Sequence, residues 1–407
     1  MKLRISKDTP QLSGSIKITG SKSESNRLLI LQALFGNITI ENLSNSDDSQ
    51  VMQQALGSKD KLIDIHHAGT AMRFLTAYFA AFAERETILT GSARMQERPI
   101  GILVDALRSL GADISYEKNE GFAPLFIKGK SLNKSEVELA ANVSSQYISA
   151  LMMMGGKLPN GLKIKLKGKI TSVPYIEMTR SLLTQLGIKS SFEGQTIQIF
   201  PCSSVNQQTV VVESDWSSAS YYYSLVALSD NGKITLSSYK KDSLQGDAVL
   251  AKLYKELGVD TKFDKNSITL TKIKNFEVKS VNFDLANSPD IAQTIAVTCY
   301  GLGIACDLTG LHTLKIKETD RLEALHAELS KLGAQLEVTD KSLHLKAAKI
   351  YNSDVTINTY QDHRMAMAFA PLGLKIPVIF EDAEVVNKSY PDFWDDFRVL
   401  GFAISTL

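Results

Sequence analysis

The stretch LRSLGADI, residues 107–114, decides the fold because close variants of it recur along the whole chain. It consists of a leucine-bearing helix end, a Leu-Gly pair and a strand-like run. A glycine just past the last helical turn is a common left-handed helix cap. Six such glycines occur 54 to 76 residues apart, at Gly57, Gly111, Gly187, Gly258, Gly333 and Gly401. This spacing predicts a supersecondary unit repeated six times, each with helix, strand, polar loop, second helix, glycine and strand.

The two halves of the chain also match each other directly. SKSESNRLLILQAL (21–34) aligns with DWSSASYYYSLVAL (215–228), and each is a polar start followed by a helical pattern that ends in Leu-x-Ala-Leu. TAMRFLTAYFAAFAERETILTG (70–91) parallels DIAQTIAVTCYGLGIACDLTG (290–310) in the same way. Three repeats precede about residue 213 and three follow it. The sequence therefore predicts two similar lobes of layered α/β structure.

Composition excludes several classes of protein. The 407 residues carry a net charge of +1, which gives no indication of a surface for nucleic acid or anionic membrane. The three cysteines, Cys202, Cys299 and Cys306, are odd in number and show no Cys/His ligand spacing, so we expect reduced thiols and no metal. The longest apolar run, residues 74–83, is too short to span a bilayer, and the N-terminal residues lack an apolar signal core. We therefore expect a cytoplasmic protein.

Charged residues are concentrated at helix starts. In LKIKETDRLEAL (314–325), the cations Lys317 and Arg321 stand before an apolar helix pattern, although the start of a helix favours anions. Further cations stand at other helix starts, namely Lys22, Arg27, Arg73, Arg98, Arg364 and Lys388. If the internal symmetry gathers these starts in the cleft between the lobes, the cations would repel one another without a ligand. We therefore predict a site there for a substrate with several negative charges.

Each motif also has a purely structural explanation when it is taken alone. A helix N-cap accounts for Asp290 after Pro289. Glu318 and Arg321 lie three residues apart, where an internal salt bridge is as good an account as a catalytic pair. His363 alone is more typical of a structural histidine than of a catalyst. No glycine-rich phosphate or dinucleotide loop has the required spacing. The joint placement of the motifs at equivalent points of the repeat favours a functional role over these structural explanations.

Nine of these motifs resemble those of the 5-enolpyruvylshikimate-3-phosphate synthase family, also called 3-phosphoshikimate 1-carboxyvinyltransferases. They are GSKSESNR (20–27), AGTAMR (68–73), RMQERPIGILVDALRSLGA (94–112), VSSQY (143–147), DWSSASYYY (215–223), PDIAQTIAV (289–297), KIKETDRLEAL (315–325), TYQDHRMAMAFA (359–370) and KSYPDFW (388–394). The resemblance implies a two-lobed inside-out α/β barrel, with three βαβαββ-type repeats in each lobe. It also implies an N-terminal lobe of residues 14–213 and a C-terminal lobe of residues 1–13 and 214–407.

The resemblance further implies the reaction and the residues that carry it. The enolpyruvyl group of phosphoenolpyruvate would move to the 5-hydroxyl of shikimate-3-phosphate, with release of phosphate, in the shikimate pathway of aromatic amino-acid biosynthesis. The implied catalytic residues are Asp290, Glu318 and Lys22. The implied shikimate-3-phosphate contacts are Lys22, Ser23, Arg27, Ser144, Ser145, Gln146, Ser172, Tyr175, Asp290 and Lys317. The implied phosphoenolpyruvate contacts are Lys22, Gly69, Arg98, Gln146, Arg321, Arg364 and Lys388.

The same resemblance sets expectations for partners and lobes. We expect the N-terminal lobe on the shikimate-3-phosphate side, and the C-terminal lobe on the phosphoenolpyruvate and acid/base side. We expect a monomer whose partners are these two small molecules, with no metal, no organic cofactor, no nucleic acid and no membrane.

Some positions depart from the family pattern. His67 and Phe74 stand where the family commonly has asparagine and proline, and they bear on the shape of the phosphoenolpyruvate pocket. Thr313 and Val173 replace residues that often lie near shikimate-3-phosphate. The segment 48–66 is shorter than usual, and we expect it to lack one hairpin.

Two alternative functions remain open from the sequence. A UDP-N-acetylglucosamine enolpyruvyltransferase would share the fold, but that family typically carries a reactive cysteine in the loop equivalent to GSARMQERP (91–99), where this chain has none. A non-catalytic polyanion-binding scaffold would have no need to keep Asp290 and Glu318 beside the cations. Phosphate release from phosphoenolpyruvate that depends on shikimate-3-phosphate separates these possibilities.

Overall fold

The computed structural model of the chain describes residues 1–9, 11–82, 84–141, 144–168, 170, 173–349 and 352–407. The chain divides into two compact units: a middle unit, Gly20–Val212, and a terminal unit, Met1–Thr19 with Glu213–Leu407. The N-terminal division lies six residues beyond the position expected from the sequence. The reason is that strand β2 (Gln11–Ile16), which follows strand β1 (Leu3–Ser6), pairs in parallel with residues 231–236 of the terminal unit.

The middle unit alternates helices and short strands. Its helices are α1 (Lys22–Phe35), α2 (Asp47–Gly57), α3 (Gly69–Phe82), α4 (Ala93–Gln96), α5 (Gly101–Ser109), α6 (Ser145–Gly155) and α7 (Val173–Gln185). Its strands are β3 (Ile38–Glu41), β4 (Leu62–Asp64), β5 (Glu86–Thr90), β6 (Asp113–Tyr116), β7 (Leu125–Lys128), β8 (Glu136–Ala140), β9 (Leu162–Lys167), β10 (Ser190–Glu193), β11 (Thr196–Ile199) and β12 (Gln208–Val211).

Three small sheets organise the middle unit. Two of them have four strands, in the orders β4-β5-β7-β6 and β10-β11-β9-β8, and the third pairs β12 with β3. In each four-stranded sheet the first two strands in the chain are parallel and the other pairings are antiparallel. A parallel pair needs a crossover, which α3 provides between β4 and β5. The third sheet has two strands because the short segment 48–66 holds only α2 and β4 after β3, without a hairpin.

The terminal unit repeats the plan. Its helices are α8 (Trp216–Leu228), α9 (Leu250–Leu253), α10 (Ala292–Leu302), α11 (Arg321–Lys331), α12 (His363–Phe369) and α13 (Phe393–Val399). Its further strands are β13 (Asn231–Ser237), β14 (Val259–Asp264), β15 (Ser267–Lys272), β16 (Ser280–Asp284), β17 (Ala305–Thr309), β18 (Leu336–Val338), β19 (Leu343–Leu345), β20 (Thr356–Ile357), β21 (Val378–Phe380) and β22 (Ala403–Thr406). The sheet orders are β14-β15-β13-β2, β16-β17-β19-β18 and β20-β21-β1-β22.

Five of the six predicted glycine caps are confirmed. Left-handed φ angles of 104°, 81°, 82°, 98° and 83° occur at Gly111, Gly187, Gly258, Gly333 and Gly401. The prediction for Gly57 is wrong, because this glycine is the last residue of α2 and the chain leaves through Ser58 in an extended conformation. No hairpin follows α2, so the chain needs no sharp reversal there.

Buried helices form the core of each unit. The paired stretches of the two halves, 21–34 and 215–228, both form helices, α1 and α8, as their alignment predicts. Almost every residue of α8 and α10 is buried, which is typical of a helix with apolar residues all round. Helix α11 instead buries one face, through Leu322, Leu325 and Leu329. Among the described residues, no helix has the length and apolar character needed to cross a membrane.

Candidate active site

The terminal unit anchors one arginine on three carboxylates. Arg321 is the first residue of α11, and Asp320 supplies the helix cap by accepting from two backbone N–H groups. The buried guanidinium of Arg321 donates to Asp362 Oδ2 at 2.7 Å, to Glu318 Oε2 at 2.8 Å and to Asp290 Oδ1 at 2.9 Å. Among the charges at the start of this helix, Asp320 is therefore the helix cap, and Arg321 is the shared partner of three carboxylates.

Three further cations lie around the same carboxylates. Lys317 Nζ is 3.4 Å from Asp290 Oδ1, and Lys388 Nζ is 3.4 Å from Glu318 Oε1. Arg364 lies 3.4 Å from Asp290 Oδ2 and donates to the backbone carbonyl of the same residue at 3.0 Å. All of the site residues predicted in the terminal unit thus lie in one cluster, which we call the carboxylate–arginine cluster: Asp290, Lys317, Glu318, Arg321, Asp362, Arg364 and Lys388.

Neighbouring charges set the ionisation of this cluster. Burial alone would raise the pKa of Asp290, but Arg364, Lys317 and Arg321 hold it well below its usual range. Burial would lower the pKa of Arg321, and its carboxylate partners raise it instead. Both groups are therefore charged at neutral pH. The expectation that the cations would repel one another without a ligand is wrong within this unit, because carboxylates lie between them.

Three members of this network were not assigned a role from the sequence. Asp362 holds Arg321, and Ser217 accepts from Arg364 at 3.3 Å while it donates to Asp247. Asp247 is buried, and burial together with the nearby Asp290 raises its pKa to about 6. The only signal for Asp362 was its place beside Arg364 in QDHR. Asp247 lies in the short 3-10 helix Gly246–Val249, which has no apolar periodicity, so no sequence pattern indicates it.

In the middle unit, neutral oxygens accept the hydrogen bonds of a buried arginine. Arg27 donates to Thr179 Oγ1 at 2.8 Å, to Ser149 Oγ at 3.0 Å and to the Ser23 carbonyl at 2.8 Å. Its guanidinium carbon lies 5.4 Å from the ring centre of Phe74, within the range of a cation–π interaction. Burial lowers the pKa of Arg27 to about 10, so the group remains positive at neutral pH.

The start of α1 has the features of an anion site. Lys22 is the first residue of the helix, and its ammonium lies 3.5 Å from Asp48 Oδ2. The buried hydroxyl of Ser21, at the cap position, finds no hydrogen-bond partner among the described residues. Tyr175 approaches the same region, because its ring lies 5.9 Å from the guanidinium carbon of Arg27. Helix N-termini with free donors favour anions.

A second group of predicted residues lies at the start of α3. The guanidinium of Arg98 packs on Gly69, so that a Cβ at this glycine would lie 2.5 Å from an Arg98 nitrogen. Gln146 Nε2 donates to Thr70 Oγ1 at 3.1 Å and so joins the start of α6 to the start of α3. Ser144 is the N-cap of α6.

The last two predicted residues of the middle unit are Ser145 and Ser172. Ser145 is a buried residue in the first turn of α6. Ser172 lies outside the described residues. Within the described part of the chain, no group of three or more His, Cys, Asp or Glu side chains is arranged to hold a metal ion.

Comparisons with known proteins agree on one family. A family model described as EPSP synthase (3-phosphoshikimate 1-carboxyvinyltransferase) matches residues 57–397. A 3-phosphoshikimate 1-carboxyvinyltransferase from Bacteroides fragilis is 47% identical over 399 residues, which cover 97% of each chain. One from Haemophilus influenzae is 34% identical over 418 residues, covering 95% of this chain and 96% of the other.

Solved structures share the fold. An EPSP synthase structure from Acinetobacter baumannii superposes with a TM-score of 0.80 at 20% identity and covers 100% of both chains. An enolpyruvyl transferase from Streptomyces tendae gives a TM-score of 0.73 at 15% identity, with 99% and 98% coverage. The predicted fold, a two-lobed inside-out α/β barrel, is thereby confirmed.

Proposed function

Because this chain belongs to the EPSP synthase family, we propose that its carboxylate–arginine cluster carries the acid–base chemistry of that reaction. The activity is that of a 3-phosphoshikimate 1-carboxyvinyltransferase, a transferase of the shikimate pathway in aromatic amino-acid biosynthesis. The substrates are shikimate-3-phosphate and phosphoenolpyruvate. The alternatives of a UDP-sugar enolpyruvyltransferase and of a non-catalytic scaffold are set aside, because the relatives that cover nearly the whole chain carry the shikimate-pathway activity in their names.

We propose that the middle unit provides most of the shikimate-3-phosphate contacts. They are Lys22, Ser23, Arg27, Ser144, Ser145, Gln146, Ser172 and Tyr175, with Asp290 and Lys317 from the terminal unit. The buried guanidinium of Arg27 supports this role, since it is positively charged at neutral pH and neutral oxygens accept the hydrogen bonds described above. The unpartnered Ser21 hydroxyl supplies a further hydrogen-bonding group beside Lys22.

We propose that phosphoenolpyruvate is held by Lys22, Gly69, Arg98, Gln146, Arg321, Arg364 and Lys388. Arginine suits this task because its planar fork can bind carboxylate and phosphate through two hydrogen bonds and so fixes orientation. The three carboxylates around Arg321 hold its guanidinium in one orientation before any substrate binds. A fixed charge of this kind needs no reorganisation during the reaction.

The reaction requires three proton transfers: one from the 5-hydroxyl, one to C3 and one back from C3. The 5-hydroxyl adds to C2 of phosphoenolpyruvate while C3 gains a proton, and phosphate then leaves as C3 loses a proton. We assign the C3 transfers to Glu318, the hydroxyl proton to Asp290, and assistance to the departing phosphate to Lys22. Shikimate-3-phosphate paired with Lys317 and phosphoenolpyruvate paired with Arg364 would draw these cations away from Asp290. The pKa of Asp290 would then rise from its depressed value, and its carboxylate would become a stronger base.

A single observation carries this proposal. One buried guanidinium joins Glu318 and Asp290, at 2.8 Å and 2.9 Å, while different cations flank the two carboxylates. Two carboxyl groups held together in unlike environments are what separate acid and base roles require. Each correctly placed group contributes on the order of 10²–10⁴-fold to the rate.

The substitution Glu318→Gln tests the assignment. We expect phosphate release from phosphoenolpyruvate, measured with shikimate-3-phosphate present, to fall by about 10²–10⁴-fold. Binding of shikimate-3-phosphate, measured by calorimetry, should stay close to that of the wild type. Glu323→Gln, an exposed position on α11, makes the same chemical change and should leave both quantities unaltered. Loss of shikimate-3-phosphate binding together with turnover would mean that Glu318 is structural.

A further inference from the structure

The turn that precedes α12 has an unusual backbone. Tyr360 and Gln361 both have a φ of 54°, so two consecutive residues other than glycine adopt the left-handed conformation. Such residues normally occur singly, and a strained pair persists only where the surrounding structure enforces it. The next residue is Asp362, which caps α12 and binds Arg321. Strain at this point therefore bears directly on the carboxylate–arginine cluster.

A buried glutamate holds the turn in place. Glu328 Oε1 accepts from the Tyr360 hydroxyl at 2.6 Å, and Glu328 Oε2 accepts from the backbone N–H of Asn358 at 3.1 Å. Lys331 Nζ lies 2.8 Å and 2.7 Å from the two oxygens. Glu328 is 0% exposed, and a buried carboxylate is tolerated only when it is paired and hydrogen-bonded in this way. Burial and this carboxylate raise the pKa of Tyr360 to about 12, so the hydroxyl keeps its proton.

The same helix also carries the arginine anchor. Glu328 follows Arg321 by seven residues on α11, which places the two about 10 Å apart along one rigid axis. Arg321 binds Asp362, and Glu328 binds the residues just before it. Asp362 in turn accepts from the backbone N–H of Arg364 at 2.9 Å. Helix α11 therefore fixes the start of α12 at two points.

We propose that Glu328 and Tyr360 are positioning residues, which set the left-handed turn so that Asp362 faces Arg321 and Arg364 faces Asp290. This inference rests on the proposed role of Arg321 and Arg364 in phosphoenolpyruvate binding. It implies that loss of the pair harms the use of phosphoenolpyruvate and leaves shikimate-3-phosphate binding largely unaffected. A merely structural contact would lower stability without any such selectivity.

The substitution Tyr360→Phe removes one hydroxyl and leaves the ring in place. We expect kcat/KM for phosphoenolpyruvate to fall on the order of tenfold, which is typical for a hydrogen bond to a charged group. The KM for shikimate-3-phosphate should change by less than about twofold. The double variant with Glu328→Gln should be little worse than the more affected single variant, since both changes break the same contact.

A control and a second measurement make the test independent of the function. Tyr300→Phe removes a buried hydroxyl that donates to the Leu332 carbonyl at 2.8 Å, in the same unit, and should leave the kinetics unchanged. Hydrogen exchange at the backbone amide of Arg364 should accelerate in Tyr360→Phe but not in Tyr300→Phe, whether or not the enzyme turns over. Wild-type phosphate release is measured first, because its absence would refute the function without deciding the role of the pair.

Two outcomes would overturn the inference. One is unchanged exchange at Arg364 in Tyr360→Phe. The other is an equal loss of kcat/KM for both substrates, which would assign Glu328 and Tyr360 to general stability.

Discussion

Replacing Asp362 with asparagine isolates the charge that anchors Arg321. The side chain of Asp362 is fully buried, accepts from Arg321 Nε at 2.7 Å, and caps α12 by accepting from the Arg364 backbone N–H. Asparagine is as good a helix cap as aspartate, so the cap survives. If the asparagine oxygen still accepts from the Arg364 backbone N–H, the asparagine amide nitrogen faces Arg321 Nε. The ion pair is then replaced by two N–H donors that point at each other.

The magnitude follows from these contacts. Breaking a buried ion pair from one side costs about 3–5 kcal/mol, because the remaining charge is left uncompensated. Arg321 keeps Asp290 and Glu318 as partners, so we expect the lower end, about 3 kcal/mol. For a unit of this size, the melting temperature should fall by roughly 6–12 °C.

Differential scanning calorimetry and urea unfolding at pH 7 measure this loss. Asp320→Asn is the matched control, because it makes the same change at the cap of α11, where the carboxylate forms no salt bridge among the described residues. Its cost should stay below about 1 kcal/mol. A loss of less than about 1 kcal/mol for Asp362→Asn would refute the view that this carboxylate anchors Arg321.

Three more predictions concern other parts of the chain. Because burial raises the pKa of Asp247 from 3.8 to about 6, its contribution to stability is full below pH 4 and is lost as the pH rises through 6. Relative to Asp247→Asn, the wild type should therefore lose up to about 3 kcal/mol between pH 4 and 7 in urea titrations, and a constant difference would contradict this. Gly57→Ala should stabilise the protein by about 0.5 kcal/mol, and Gly111→Ala should destabilise it by about 1 kcal/mol. A Cβ would meet no atom within 4 Å at either position, and only Gly111 has a left-handed backbone. Equal melting temperatures for the two variants would disprove this distinction. Gly69→Ala should displace Arg98 and raise the KM for phosphoenolpyruvate about tenfold with little change in melting temperature, and an unchanged KM would count against that contact.

Much of the fold could be predicted because its signals are local. A glycine cap, a polar helix start and an apolar helix depend on residues within a few positions of one another, so Gly111, Gly187 and the helices α1 and α8 were identified from the sequence. The prediction of a left-handed cap fails at Gly57 because the same Leu-Gly pair ends a helix whether or not the chain reverses its direction there. The missing hairpin after α2 decides between the two.

The site could be predicted in part for a similar reason. Charges at helix starts are visible in the sequence, and all of those predicted in the terminal unit lie in one cluster. The sequence did not indicate which charge faces which. It suggested repelling cations, whereas Asp362, 41 residues after Arg321, neutralises that arginine, and Asp247 joins the network through Ser217.

The sequence by itself determined the six repeats, the helix starts and the family. Only the tertiary structure decided that β1 pairs with β21 and β22 from the far end of the chain, that Glu328 holds the turn before Asp362, and that Arg27 lies among Thr179 and Ser149. The physical reason is the separation along the chain over which each interaction acts. Helix caps and periodicity act over a few residues, whereas the pairing of strand edges and of buried charges depends on which distant segments exclude water from the same place.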